Sequence, residues 1–419
     1  MKVMVIGGGG REHAIVKKLR ENKEITELYA LPGNGGMARE AVCVNIGATD
    51  LAGIAAFAKE KGIDYAVVTP DDPLVLGAVD LLEAQGVPCF GPNKAAAILE
   101  GSKAFAKAFM KRHGIPTAAY EIFHDPADAL AYVASCPLPT VVKADGLALG
   151  KGVVIAETRE QAEQAVRAAM CEGKFGHSGE TVVIESFLTG PEVSVLAFTD
   201  GKTVVPMVSS MDHKRALDGD RGPNTGGMGT IAPNPFYTDT IAKRCMDEIF
   251  LPTVRGMADE GRPFCGCLYF GLMLTASGPK VIEYNCRFGD PETQVVLALL
   301  ESDLFSIMRA VTDGRLDEAE VRFSTDAAAC VILASEGYPL SYQKGFAITM
   351  DETIRPHVLF AGVKEQDGGL VTSGGRVLGV TGRAANLKDA LALAYDRADR
   401  IDFSNKFLRR DIGKRALEA

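Results

Sequence analysis

The segment Ile282-Glu283-Tyr284-Asn285-Cys286-Arg287-Phe288-Gly289-Asp290-Pro291-Glu292 concentrates most of the chemistry. In a strand, residues two apart share a face, so Glu283, Asn285 and Arg287 point the same way. A carboxylate and an amide carbonyl are hard oxygen ligands, suited to Mg²⁺ shared with nucleotide phosphates. Arg287 continues the alternation and could meet a phosphoryl oxygen. Such a strand face beside glycine loops is unusual as pure structure, and a functional reading is preferred. A second candidate is Val141–Val153, where a strand delivers Lys143 and a loop containing Gly150, Lys151 and Gly152 leads into another strand. The spacing is not that of a Walker A loop, and no helix follows. A hairpin folded over phosphates and an ordinary hairpin with solvated lysines both fit this segment.

Three loops near the N-terminus form the next group. Val3–Ile6 runs into Gly7-Gly8-Gly9-Gly10-Arg11-Glu12-His13. Glycines between a strand and a helix let backbone N–H groups approach a phosphate, aided by the helix dipole. The third glycine of G-x-G-x-x-G is missing, and a monophosphate beside Arg11 fits as well as a dinucleotide. Pro32-Gly33-Asn34-Gly35-Gly36 follows the second strand without the acid that NAD ribose requires, which argues against NAD. Pro70-Asp71-Asp72-Pro73 ends another strand, so three loops converge on one sheet edge, where open α/β sheets bind ligands. The polar loops Asp212-His213-Lys214-Arg215 and Asp220–Gly229 are of a kind that is functional or mobile, and their spacing names no ligand.

These loops need a scaffold, and the hydrophobic pattern supplies one. In residues 1–100 the strands Val3–Ile6, Thr26–Ala30, Tyr65–Thr69 and Val87–Phe90 alternate with helices Glu12–Glu21, Leu51–Lys61 and Leu74–Gln85. That alternation predicts a doubly wound parallel sheet. Residues 103–112 read as a basic helix. A β-rich α+β insertion follows, with strands Thr140–Lys143, Val153–Ala156, Val182–Glu185 and Val193–Thr199 around a helix Arg159–Cys171. Leu268–Thr275 and Lys280–Tyr284 are the next strands. Beyond about residue 323, strands Ala327–Ala334, Phe346–Met350 and Val377–Thr381 and a helix Leu387–Arg400 define a third unit.

Composition narrows the function classes. Of 419 residues, 47% are hydrophobic and 24% charged, which excludes a mostly disordered chain. Fifty-four acidic residues outnumber 45 basic ones, and no Lys/Arg stripe offers a surface to nucleic acid or an anionic membrane. Nine scattered Cys read as buried thiols in a reducing, cytoplasmic setting, and no secretory signal or membrane span is visible. The six His stand singly without zinc spacing and read as structural, His213 being the best exception because of its loop. No G-x-S-x-G elbow is present.

Taken together, GGGGREHA, PGNGG, SKAFAK, VKADGLALGKGV, DHKR…DGDRGPNTGGMG, EYNCRFGDPETQ, GYP…YQKG and VTSGGRVLGVTG resemble the phosphoribosylamine–glycine ligase family of the ATP-grasp superfamily, nearly end to end. The resemblance implies an α/β and α+β multidomain protein. It would have a Rossmann-like N-terminal domain (1–101), an ATP-grasp core (102–323) with a small lid subdomain at about 120–190, and a small C-terminal α+β domain (324–419). It implies an enzyme that joins glycine to 5-phosphoribosylamine in purine synthesis, with ATP cleaved to ADP and phosphate. The expected cofactors are ATP and Mg²⁺ or Mn²⁺, and a monomer is expected. By the same resemblance, Lys103 and Lys143 contact the nucleotide phosphates and Gly150-Lys151-Gly152 closes over them. Glu185, Phe187 and Leu188 lie on the adenine hinge, where a carboxylate and backbone groups hold the base, and Glu192 meets the ribose hydroxyls. Glu283 and Asn285 hold the metal. Arg287 steadies the transferred phosphate, with Lys143 and Asp290 also in the catalytic set. Gly9, Gly10, Arg11, Asn34, Asp71, Asp212, Lys214 and Asn224 are expected at the substrates, together with Arg287.

Two departures stand out. The family's Pro-Glu-x-Pro-Leu reads Pro70-Asp71-Asp72-Pro73-Leu74 here, one methylene shorter at Asp71. The strand Gly271-Leu272-Met273-Leu274 lacks the acidic metal ligand that many ATP-grasp enzymes carry there. Three rivals predict different behaviour. An ATP-grasp ligase for formate or bicarbonate would carry other N-terminal loops. A nucleotide-binding regulator would not turn over. An NAD oxidoreductase would need the missing ribose acid.

Overall fold

The computed structural model describes residues 1–147 and 152–419. The N-terminal sheet has five parallel strands in the order Val42–Cys43, Glu27–Pro32, Lys2–Gly7, Tyr65–Val68, Cys89–Phe90. Val3–Ile6 is fully buried, as a parallel strand covered on both faces must be. The strand order reverses between Lys2–Gly7 and Tyr65–Val68, so the loops carrying Arg11 and Asp71 flank a topological switch point. The expected single helix Leu74–Gln85 is two helices, Asp71–Leu76 and Ala78–Glu83. Gly77 separates them at φ +96°, a conformation that ends one helix and admits the next.

The insertion is a four-stranded antiparallel sheet in the order Tyr120–Phe123, Val182–Ser186, Thr140–Ala144, Val153–Ala156. Helices Pro126–Val133 and Arg159–Val166 cover it through Ala129, Val133, Ala162 and Val166. The expected helix to Cys171 is α-helical to Val166 and continues as a π turn over Arg167–Cys171. A second antiparallel sheet orders Val204–Pro206, Glu192–Asp200, Cys265–Thr275 and Gly278–Asn285. Its core includes Phe250, Phe264, Phe270 and Val281.

The third sheet crosses sequence distance. Ala327–Ser335, Arg376–Ala384 and Val358–Phe360 are extended by Gly229–Ala232 and Met211–Asp212 from the middle of the chain, and Lys406–Phe407 pairs at one end. Gly229 pairs with Val331 and Ala232 with Ala328, so the Asp212–Gly229 loops are anchored on the C-terminal unit. The expected strand Phe346–Met350 forms only at Thr349–Met350. No helix among the described residues is long and apolar enough to cross a membrane.

Candidate active site

The strand Gly278–Asn285 behaves as its alternation requires. Tyr284 and Cys286 are buried in the core, while Glu283, Asn285 and Arg287 are half-buried and line one cavity of about 430 Å³. Gly271 lies opposite Glu283, and a Cβ there would come within 3.0 Å of the Glu283 Cγ. The absence of a side chain at Gly271 thus leaves room for Glu283. Lys214 Nζ stands 3.3 Å from Glu283 Oε1. Lys214, with Lys143 and Lys103 behind it, outweighs burial and holds the Glu283 carboxyl down at about 2.

Both predicted lysines reach this cavity. Lys103 Nζ donates to Gly146 O at 2.8 Å, and burial lowers its pKa. Lys143 Nζ donates to Ile282 O at 3.1 Å and pairs with Glu185 Oε1 at 2.8 Å. The other oxygen of Glu185, Oε2, pairs with Lys107 at 2.8 Å. The carboxylate expected at the adenine is therefore a counter-ion shared by two buried lysines. Sequence reading missed Lys107. The signal was present in SKAFAK, because Lys103 and Lys107 are four apart and share a helix face. Burial, reinforced by Lys143 and opposed by Glu185, pushes Lys107 down to about 8.

A contiguous cavity of about 210 Å³ extends from Lys143 and Glu185 along Phe187, Leu188 and Glu192, with Val141, Ile155 and Met273 among its walls. Asn224 borders it. Such apolar walls with a carboxylate at one side suit a flat base and its sugar. Gly152 lines the larger cavity, whereas Gly150 and Lys151 lie outside the described residues.

At the far end the cavity meets the switch point. Arg11 donates from Nε to Glu12 Oε1 at 2.5 Å and from Nη1 to Phe288 O at 3.0 Å. Glu12 also takes Thr69 Oγ1 at 2.8 Å and Gly9 N at 2.6 Å. The Gly9 amide is thereby satisfied within the loop, and neither Gly9 nor Gly10 lines the cavities. Asn34 is tied more firmly still. Its Nδ2 donates to Gly8 O and Phe360 O, and its Oδ1 accepts from Gly36 and Met37 N–H groups. That side chain is a tie between the glycine loops and the C-terminal unit, with its donors used up. Asp71 borders the cavity.

Arg287 pairs with Glu100 at 3.2 Å, while its Nε is buried without a partner among the described residues. Burial would lower Arg287, but Glu100 and Asp71 outweigh it and raise it further. Glu100 also accepts the Cys286 N–H at 2.6 Å. Burial pushes its carboxyl up to about 7 against the pull of Arg287. Asp212 Oδ1 is a second buried, unpartnered atom, and burial together with Glu292 raises its carboxyl well above the usual range. Asp290 pairs with Arg376 at 2.8 Å and accepts from Gln294 Nε2 at 2.6 Å. Burial would raise Asp290, but Arg376 and Arg11 hold it below its ordinary value. Arg376 and Tyr338 bring the C-terminal unit into the cavity, and Arg376 also donates to Gly226 O and Asp290 O. Neither residue was expected from sequence. His213 is held by backbone groups: its Nδ1 faces Gly229 O at 3.1 Å and its Nε2 accepts Gly413 N–H at 3.0 Å. With both nitrogens on backbone it is structural, and burial with Arg409 lowers its pKa.

The cavity lining holds seven basic and seven acidic side chains. Lys214, Lys143 and Lys103 act on Glu283, and Arg287, Asp71 and Arg11 act on Glu100. The donor set suits a divalent cation completed by phosphate and water, since only Glu283 and Asn285 offer themselves from one face. No cluster of three or more His, Cys, Asp or Glu suited to a metal exists among the described residues.

A lid sheet closing on an antiparallel core, with paired lysines and an E-x-N strand between them, defines an ATP-grasp protein. Biotin carboxylase from Campylobacter jejuni shares the fold, with a TM-score of 0.75 at 14% identity over 97% of this chain and 92% of that one. The chain belongs to the phosphoribosylglycinamide synthetase family: its N domain matches residues 1–100, its ATP-grasp (A) domain 101–293 and its C domain 328–415. Proteins named phosphoribosylamine–glycine ligase are similar over the full length. That of Allochromatium vinosum is 48% identical, covering all of this chain and 99% of the relative. That of Ralstonia nicotianae is 49% identical, covering all of both. The crystal structure of phosphoribosylamine–glycine ligase from Thermotoga maritima superposes with a TM-score of 0.87 at 36% identity, covering 98% of this chain and all of that one.

Proposed function

We propose that this chain ligates glycine to 5-phosphoribosylamine, giving glycinamide ribonucleotide, ADP and phosphate in purine biosynthesis. One observation carries the reading. Two adjoining cavities, which share Lys143, Glu185, Lys214 and Glu283 as walls, reach from an apolar slot, past two lysines and an E-x-N strand, to Arg11 and Asp71 at the switch point of the N-terminal sheet. ATP use and a divalent cation go with the ATP-grasp fold, and Glu283 and Asn285 would hold Mg²⁺ or Mn²⁺ in this chain. When bound, the cation supplies neutralisation of phosphate charge.

A carboxylate does not accept an amine at neutral pH without activation. A carboxylate oxygen of glycine attacks the γ-phosphorus, ADP departs, and glycyl phosphate forms. The neutral amine of phosphoribosylamine then attacks the acyl carbon, and phosphate leaves with the bridging oxygen. This chemistry asks for positioning and charge neutralisation, not for a Ser or Cys nucleophile. Lys103 and Lys143 hold the nucleotide phosphates, with Gly152 beside them. The slot at Phe187 and Leu188 takes the base and Glu192 the ribose. Arg287, with its unpartnered Nε, meets the transferred phosphoryl group, and Asp290 fixes Arg376 beside it. Arg11 and Asp71 face the sugar phosphate side. Asp212, Lys214 and Asn224 border the remaining substrate space.

We also propose a cytoplasmic location, supported by nine free thiols, and a monomeric state. The test is ADP release with Mg·ATP, omitting glycine and phosphoribosylamine in turn. Release that needs both supports the reading. Release driven by bicarbonate or formate alone refutes the substrate assignment.

A further inference from the structure

Lys107 takes no part in the reaction outlined above, yet it is 2% exposed and charged groups surround it. Its Nζ lies 2.8 Å from Glu185 Oε2 and donates to Thr117 Oγ1 at 2.7 Å. The Thr117 hydroxyl donates in turn to Val281 O at 2.7 Å. On the far side, Glu185 Oε1 lies 2.8 Å from Lys143 Nζ, which donates to Ile282 O. Glu185 is 4% and Lys143 5% exposed, so water screens this chain of contacts weakly. It links four elements. These are the helix Lys103–Arg112, the lid strands Thr140–Ala144 and Val182–Ser186, and the strand Gly278–Asn285.

The charge arrangement has a consequence for the nucleotide. Glu185 between one lysine and nothing else would form a neutral pair with Lys143. Glu185 between two lysines leaves the trio with one positive charge, and the geometry keeps Lys143 on a single carboxylate oxygen. We propose that Lys107 is a positioning residue of the nucleotide site, which occupies half of Glu185 so that Lys143 retains charge and a fixed direction for the phosphates. The proposal rests on the reading of Lys143 as a phosphate contact.

The test uses the full-length protein, MgADP binding by calorimetry, and ADP release as a function of ATP. Lys107→Met should weaken MgADP binding and raise the KM for ATP on the order of 10²-fold, because Glu185 then neutralises Lys143 and one positive charge is lost from a weakly screened site. The KM for glycine should stay within about twofold, because the trio lies at the nucleotide end. Lys107→Met/Glu185→Gln should recover at least about tenfold of the loss, because it restores one net positive charge. Should the single variant not fold, Glu185→Gln against the double variant carries the test: with the carboxylate gone, losing Lys107 should matter by less than about threefold. An unchanged KM for ATP in Lys107→Met, or the same cost with and without Glu185, overturns the proposal. Wild-type protein that binds no MgADP would instead refute the underlying nucleotide reading.

Discussion

Arg376 is one residue through which the C-terminal unit holds the site together, and Arg376→Met tests its contribution. Its Nη2 pairs with Asp290 Oδ2 at 2.8 Å, and its Nη1 donates to Gly226 O at 2.6 Å and Asp290 O at 2.9 Å. The two side chains are 20% and 18% exposed, so the pair is neither fully buried nor a surface pair. Removing one partner of a buried pair costs about 3–5 kcal/mol, while an exposed pair is worth about 0–1 kcal/mol. Partial screening places Arg376→Met at about 2–4 kcal/mol. Methionine keeps much of the apolar stem, so lost packing contributes little. Urea unfolding followed by circular dichroism measures the loss, with Lys243→Met in an exposed i,i+4 pair as the reference. The cost should shrink on acidification, because Asp290 without Arg376 relieves its unmatched charge by taking a proton. A loss no larger than that of Lys243→Met, or one independent of pH, refutes the reasoning.

Glu100→Gln should lower kcat about tenfold or more while the KM for ATP moves little, since Glu100 orients Arg287 and not the nucleotide; steady-state kinetics decides. Glu283→Gln should weaken the divalent cation on the order of 10²-fold, read from ADP release in a Mg²⁺ titration. His213 has its pKa lowered by burial. The unfolded chain therefore binds a proton first, near 6.5, and stability falls as pH drops below that value. His213→Gln should flatten the part of the thermal-stability profile between pH 5 and 7 that this residue contributes.

Much of the site was legible because strand alternation is a local code. Glu283, Asn285 and Arg287 fall on one face by spacing alone, and the glycine-separated lysine strand needed no tertiary knowledge. Lys107 was legible in principle, since i,i+4 places it beneath Lys103, but a second lysine on a basic helix carries no mark of burial. Glu100 ends an alanine-rich helix, and nothing near it in sequence shows that Arg287 arrives 187 positions later. Arg376 was hidden for a similar reason. Its partners lie on loops fixed by pairing Gly229–Ala232 with Ala327–Ser335, and long-range pairing leaves no local periodicity. Asn34 misled in the other direction, because a polar residue among glycines suits a ligand and a loop tie equally well. Gly77 broke a helix that hydrophobic periodicity ran through, since periodicity does not register a backbone at positive φ.

The central claim is that glycine is activated by taking the γ-phosphoryl group on its own carboxylate. Glycine labelled with ¹⁸O in both carboxylate oxygens, turned over with ATP, Mg²⁺ and phosphoribosylamine, tests it through the mass of the released phosphate. Each phosphate formed should carry one ¹⁸O, and the glycinamide product should retain one. Phosphate free of label, with ADP still released, would mean that water takes the phosphoryl group, and the mechanism assigned to this cavity would be wrong.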